Sequence, residues 1–165
     1  MTRPPSLFIS HGSPMILLDD CPARHFMREF GESLDRPAAI LMISAHWETA
    51  LAAIATTDRP ETVHDFYGFP DEMYRFRYRA AGAPELAARA GACLGGAGFA
   101  VVEDPDRGLD HGAWVPLGYM FPDADVPVAQ VSIQSHFGPR HHLELGRALA
   151  PLRDENILIL CSGNI

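Results

Sequence analysis

Short apolar segments alternate with helical patterns along the chain, and this alternation limits the possible folds more than any other feature of the sequence. Six short apolar segments rich in Ile, Val or Leu are typical of buried strands, near residues 6–10, 39–45, 50–56, 98–103, 126–133 and 156–161. Three helical patterns start at a proline and cover residues 22–34, 84–94 and 139–152. The alternation predicts an α/β fold: a mostly parallel central sheet with helices on both faces, in three layers.

Composition excludes several classes of partner. Of the 165 residues, 47% are hydrophobic and 21% are charged, as in an ordinary soluble domain. A net charge of −8 argues against nucleic acid and anionic membranes as partners, and no stretch resembles a membrane span or a signal peptide. The three cysteines are widely spaced and form no CxxC pair, so neither disulfides nor a zinc–thiolate site are indicated. We expect a cytoplasmic protein; its oligomeric state stays open.

Two predicted strands each end in a small residue and then a histidine. The run Leu7–Ser10 leads into His11, and Ile40–Ala45 leads into His46. Sheets of α/β proteins deliver side chains from the carboxyl ends of their strands into the crevice where their sites lie. Two imidazoles on neighbouring strand ends could share one metal ion, which predicts His11 and His46 as ligands. The alternative for each is a hydrogen-bonded histidine of the core.

Residues 57–83 form a long stretch without a clear pattern, rich in aromatic residues. Irregular segments longer than about 12–15 residues are usually lids, binding loops or disordered, and the aromatic content argues against disorder. Two interpretations stay open: a flap over a flat apolar ligand, or aromatics that pack a satellite core.

The end of the chain suggests a missing part. Residues 156–161 are typical of a buried strand, Ser162-Gly163-Asn164 is predicted to be the turn after it, and Ile165 follows at once. A domain rarely ends one residue past the strand-end turn where α/β folds build their sites. We therefore expect residues 1–165 to form a single catalytic-type domain that lacks its C-terminal part.

Five motifs together resemble the class III extradiol ring-cleavage dioxygenases, in particular the branch similar to DOPA 4,5-dioxygenase. In chain order they are Ser10–Pro14, Ser44–Glu48, His64–Pro70, Leu109–Leu117 and Cys161–Asn164. The resemblance implies a non-haem Fe(II) enzyme that uses O2 to open the ring of a small aromatic substrate, a catechol, beside its two hydroxyls. Some relatives hold zinc when isolated, and imidazole suits Fe(II) and Zn(II) about equally.

The resemblance also implies roles for individual residues. His11 and His46 take the metal-ligand positions. His111 lies in the catalytic pocket, where it can donate to a catechol oxygen or to dioxygen, and the neighbouring Asp110 would help to set its tautomer. The alternative is that His111 only caps a helix starting near Gly112.

Further candidates surround this set. His64 is placed for substrate contact, with a loop-ordering role as the alternative. Ser13 is a second substrate-binding candidate, although it is expected mainly to shape the turn that aims His11. Gln134 sits at a predicted strand end and could line the same crevice. The family's acid/base histidine and a further ligand would follow Ile165; within the chain, His64, His111 and His136 are the candidates for a third ligand.

Three functions are therefore open. The first is an oxygenase acting on a small catechol, with DOPA, caffeate-like and protocatechuate-like acids as possible substrates. The second is a zinc-dependent hydrolase on a related scaffold, in which the metal activates water. The third is an inactive truncated fragment that binds aromatic ligands without chemistry. No Gly-x-Ser-x-Gly motif supports a serine hydrolase.

Overall fold

Four parallel strands form the central sheet of the computed structural model, which describes residues 3–163. Across the sheet, the strands lie in the order β1 (Ser6–Ser10), β6 (Ile157–Gly163), β2 (Ala39–Ser44) and β5 (Val128–Gln130). A separate parallel pair is formed by β3 (Ala52–Ala55) and β4 (Val101–Asp104). All six predicted strands are present, so the predicted parallel α/β sheet is confirmed.

Helices connect the strands. They are α1 (Pro22–Ser33), α2 (Asp71–Arg75), α3 (Pro84–Gly96), α4 (His111–Met120) and α5 (Gly138–Leu149). Three short 3₁₀ helices cover Pro14–Leu17, Ser135–Phe137 and Ala150–Glu155. The third predicted helix therefore ends at Leu149 and continues as a 3₁₀ helix. Within residues 3–163 no helix has the length and apolar character needed to cross a bilayer.

Successive side chains of β2 pack into two different cores, one on each face of the sheet. Ile40 and Met42 belong to the core formed with α4 and partly buried residues of α1. Leu41 belongs to the core formed with α3 and α5. This division follows from the alternation of side chains along a strand. The three-layer arrangement predicted from the sequence is therefore confirmed.

The sequence indicated helix α4 only through the alternative in which His111 caps a helix starting near Gly112, and the structure has Asp110 as the cap instead. Nine of its ten residues are buried, including Trp114 and Leu117. A helix that is buried on all sides has no polar face, and therefore lacks the periodic pattern by which amphipathic helices are recognised. Pro116 inside the helix obscures the signal further.

Two details of the prediction were wrong. Strands β1 and β2 are not neighbours, because β6 lies between them and pairs with both. Ser162 and Gly163 continue β6 rather than forming a turn, while Asn164 and Ile165 lie outside the described residues. The carboxyl end of β6 therefore separates the two strand ends that carry His11 and His46.

The segment 57–83 is largely irregular, as predicted, but includes the short helix α2. Phe66, Phe69 and Phe76 pack against the core formed with α4, which supports the packing interpretation. Tyr67, at 92% exposure, projects from the same loop into solvent.

Candidate metal centre

Three histidines from three separate segments converge at the carboxyl end of the sheet. His11 follows β1, His46 follows β2, and His111 is the first residue of α4. One ligand atom from each ring can be chosen so that all three atoms lie within 4.8 Å of one another. Among residues 3–163 no other group of three His, Cys, Asp or Glu side chains meets this condition.

The distance between two of these rings fits joint binding of one ion. His11 Nε2 and His46 Nε2 lie 3.1 Å apart. Two nitrogen ligands at about 2.1 Å from a common metal are separated by about 3.0 Å in octahedral and about 3.4 Å in tetrahedral geometry. The observed separation falls between these two values, so both rings can serve one metal.

Electrostatics keep these imidazoles ready to bind a cation. Burial, reinforced by the neighbouring His111 and His46, lowers the pKa of His11 to about 4. Burial and the adjacent His111 also lower the pKa of His46. Metal binding requires neutral imidazole, so both shifts favour the ligand form at neutral pH. The residues present fit a metal ion that prefers nitrogen ligands.

Asp65 lies behind His111 and determines how that ring is presented. Its Oδ1 accepts hydrogen bonds from the His111 ring Nδ1, at 2.8 Å, and from the His111 backbone N–H, at 2.9 Å. Burial opposes ionisation of Asp65, but these hydrogen bonds outweigh it and lower the carboxyl pKa to about 2. Because Nδ1–H of His111 faces this carboxylate, the neutral ring presents Nε2 as an acceptor.

Asp110 does not have the role expected for it. Its side chain caps α4 by accepting from the backbone N–H of Ala113, and it also accepts from Ser44 Oγ at 2.5 Å. Arg107 and Gln130 donate to its other oxygen at 2.6 and 3.0 Å. Asp110 therefore anchors α4 to the end of β2. The expectation that it orients His111 was wrong, because Asp65 makes that contact.

Aromatic side chains form one wall beside the histidines. The ring of Phe66 meets His111 edge-on at 5.9 Å and also contacts Trp114 at 5.9 Å. His64 packs against Phe66 and Trp114, at 5.7 and 5.6 Å, and its Nε2 lies 3.1 Å from the Phe76 carbonyl oxygen. His64 thus lies in this aromatic cluster and outside the three-histidine group.

The other candidate residues lie elsewhere. Ser13 caps the first 3₁₀ helix by accepting from the backbone N–H of Met15. Gln134 is fully buried and bonds to Ser132 and His141. The ring of His136 lies tilted against Phe137, outside the three-histidine group. Substrate contacts by Ser13 and Gln134 stay predictions.

Two residues that contact the histidines were not predicted as part of the site. Asp65 follows His64 directly, yet only its contact across the fold with His111 shows what it does. Ser162, at the end of β6, contacts His11 Nδ1 through its hydroxyl at 2.7 Å. Both belong to motifs already noted, so motif membership was the one signal that could have singled them out.

Comparison with known proteins shows which family this chain resembles. Residues 5–165 match the family described as the catalytic LigB subunit of aromatic ring-opening dioxygenase. The chain is 51% identical to a 4,5-DOPA dioxygenase extradiol of Beta vulgaris, covering 96% of this chain and 61% of that protein. It is 44% identical to the protein of the same name from Escherichia coli strain K12, covering 99% of this chain and 60% of that protein.

A solved structure extends the likeness to the fold. The crystal structure of an uncharacterized protein from Escherichia coli K12 matches with a TM-score of 0.81 at 38% identity, over 99% of this chain and 61% of that one. The chain thus spans about three fifths of the length of these relatives. Because the family match runs from residue 5 to residue 165, the chain belongs to the LigB family of aromatic ring-opening dioxygenases.

Proposed function

We propose that this chain carries the metal-binding part of an extradiol dioxygenase, which opens the ring of a small catechol with O2. The observation that supports this most is the convergence of His11, His46 and His111 in a member of this family. A bound Fe(II) would supply positions for the two catechol oxygens and for O2, and a redox change that Zn(II) does not undergo. Fe(II) is therefore the proposed working metal, with Zn(II) as an inactive substitute.

His11 and His46 hold the metal in this proposal. His111 takes the catalytic role, but with a direction of proton transfer that its geometry suggests. Since Nδ1–H donates to Asp65, Nε2 of the neutral ring accepts a proton from a substrate hydroxyl. The resulting imidazolium is stabilised by the Asp65 carboxylate, and its new Nε2–H can then donate.

The aromatic wall beside the histidines suits a substrate with a planar ring. Phe66 lies against His111, where it can make apolar contact with one face of a substrate ring bound beside the histidines. His64 shapes this wall through Phe66 and Trp114 and is proposed to contact the substrate's ring substituent. Two relatives bear DOPA in their names, so DOPA or a related catechol is the proposed substrate. We place the protein in the cytoplasm, in keeping with its three free cysteines.

An anaerobic Fe(II) titration tests the metal site. We expect one iron per chain, and loss of tight binding in His11→Ala and His46→Ala. His25→Ala is the matched control, because that ring is 61% exposed and pairs with Asp20. Unchanged stoichiometry in both site variants would refute the ligand assignment.

Oxygen uptake then tests the reaction. With Fe(II) and DOPA, we expect O2 consumption together with loss of the catechol absorbance. Zinc-supported hydrolysis of esters without O2 consumption would instead indicate a hydrolase. Catechol binding without O2 uptake would indicate a binding domain.

A further inference from the structure

We propose that Ser162 is a positioning residue that holds His11 in the tautomer with its proton on Nδ1, and that Pro116 makes this possible. The two residues lie 46 positions apart in the sequence and on different elements, β6 and α4. Treating His11 as a metal ligand rests on the function proposed above. The tautomer itself follows from hydrogen bonds between protein groups and does not depend on that function.

The first step is an unpaired carbonyl in α4. In an α-helix the carbonyl of residue 112 accepts from the N–H of residue 116. Residue 116 is proline, which has no N–H, so the Gly112 carbonyl loses its partner within the helix. Gly112 is buried, and a buried carbonyl without a partner is unfavourable. The helix therefore presents a free acceptor to the end of the sheet.

Ser162 donates to the carbonyl that Pro116 leaves without a partner. Its hydroxyl donates to the Gly112 carbonyl at 2.5 Å, and a carbonyl can only accept. The same Ser162 oxygen lies 2.7 Å from His11 Nδ1. A serine hydroxyl has a single proton, and here that proton is donated in the hydrogen bond to the Gly112 carbonyl. Toward His11 the Ser162 oxygen can therefore only accept, which places the proton of the ring on Nδ1.

The consequence for His11 is a free lone pair on its other nitrogen. A neutral imidazole has one N–H, so Nε2 is unprotonated when Nδ1 carries the proton. That Nε2 atom faces His46 Nε2 at 3.1 Å, on the side where the three histidines converge. Ser162 thereby presents the ligand atom of His11 in the form that binds a metal.

Burial and register make the arrangement firm. His11 and Ser162 are each 3% exposed, so solvent is largely kept from both. Ser162 pairs with Ile9 of β1 and with Ser44 of β2, which places its hydroxyl between the two strands that lead to the histidines. Without the Ser162 hydroxyl, a proton on His11 Nε2 could be accepted by His46, and a ring in that tautomer cannot bind a metal through Nε2.

The test reads the tautomer directly in metal-free protein. Long-range ¹H–¹⁵N NMR of histidine-labelled protein distinguishes protonated from unprotonated ring nitrogens. We expect His11 to carry its proton on Nδ1 in the wild type. In Ser162→Ala we expect a shift toward the Nε2–H form and about 10- to 100-fold weaker binding of Zn(II), the usual range for loss of a group that orients a ligand histidine. Ser162→Thr keeps a hydroxyl and is expected to keep the wild-type tautomer.

Two further variants complete the experiment. Pro116→Ala restores an N–H that competes for the Gly112 carbonyl, so it frees the Ser162 proton and is expected to move the His11 tautomer in the same direction as Ser162→Ala. Ser132→Ala removes another fully buried hydroxyl outside the three-histidine group and is expected to leave both readouts unchanged.

An Nε2–H tautomer in the wild type would overturn the proposal, as would an unchanged tautomer and unchanged Zn(II) binding in Ser162→Ala. A tautomer shift in a protein that opens no catechol ring would support Ser162 as the positioning residue while refuting the proposed reaction. The two ideas can therefore fail separately.

Discussion

Replacing Gly112 with alanine introduces a methyl group where the site has no room. An alanine Cβ at this position would lie 2.3 Å from Ser44 Oγ, 2.8 Å from His46 Cδ2 and 3.2 Å from Asp110 Oδ1. The first two distances are well below van der Waals contact, so Ser44 and His46 would have to move. The backbone of Gly112 is outside the left-handed region, so steric crowding alone explains the requirement for glycine.

The magnitude follows from the contacts that would break. Ser44 is fully buried, and its hydroxyl donates to the Asp110 carboxylate at 2.5 Å. A hydrogen bond to a charged group contributes about 1.5–3 kcal/mol. Crowding a packed interior costs about 1–3 kcal/mol, against a gain of about 1 kcal/mol from alanine's helix propensity. We expect Gly112→Ala to lower the free energy of unfolding by about 1.5–5 kcal/mol.

Urea denaturation measures this loss, and Gly146→Ala is the matched control. Gly146 lies inside α5, and a Cβ there would meet nothing within 4 Å. The same substitution should therefore stabilise the protein at Gly146, by up to about 1 kcal/mol. Opposite signs at the two positions are expected. A Gly112→Ala protein as stable as the wild type, with unchanged metal binding, would refute the steric reasoning.

Two more predictions follow from shifted pKa values. The pKa of Asp65 falls from 3.8 to about 2, so its ionised form stabilises the folded state by about 2 kcal/mol. Asp65→Asn should lack this stabilisation above pH 4. Its difference from the wild type in urea denaturation should therefore shrink as the pH falls toward 2. A difference that stays constant between pH 7 and pH 3 would contradict this cause. Burial raises the pKa of the Cys161 thiol to about 11, so iodoacetamide at pH 8 should modify it about 100-fold more slowly than a small free thiol of ordinary pKa. Modification of Cys161 at the rate of the free thiol, read by mass spectrometry, would show that the thiol is not shifted.

Local patterns were sufficient to predict most of the fold. The strands and the helices that follow Pro22 and Pro84 were predicted within a few residues, because each has a periodic apolar face or a clear start and stop signal. Helix α4 was indicated only as an alternative, starting near Gly112, since burial on all sides removes the polar face that gives a helix its periodic pattern. The prediction that histidines end two strands was confirmed, but their strands are separated by β6.

The sequence by itself determined the α/β architecture, the family motifs and the histidines at the strand ends, because each is encoded in neighbouring residues. Only the tertiary structure decided which groups form hydrogen bonds with the rings of those histidines. Asp65 reaches His111 from a loop 46 residues away, and Ser162 reaches His11 across 151 residues. Hydrogen-bond partners of this kind depend on strand order and on which carbonyl a proline leaves unpaired in a neighbouring helix. Neither property produces a periodic pattern in the amino-acid sequence.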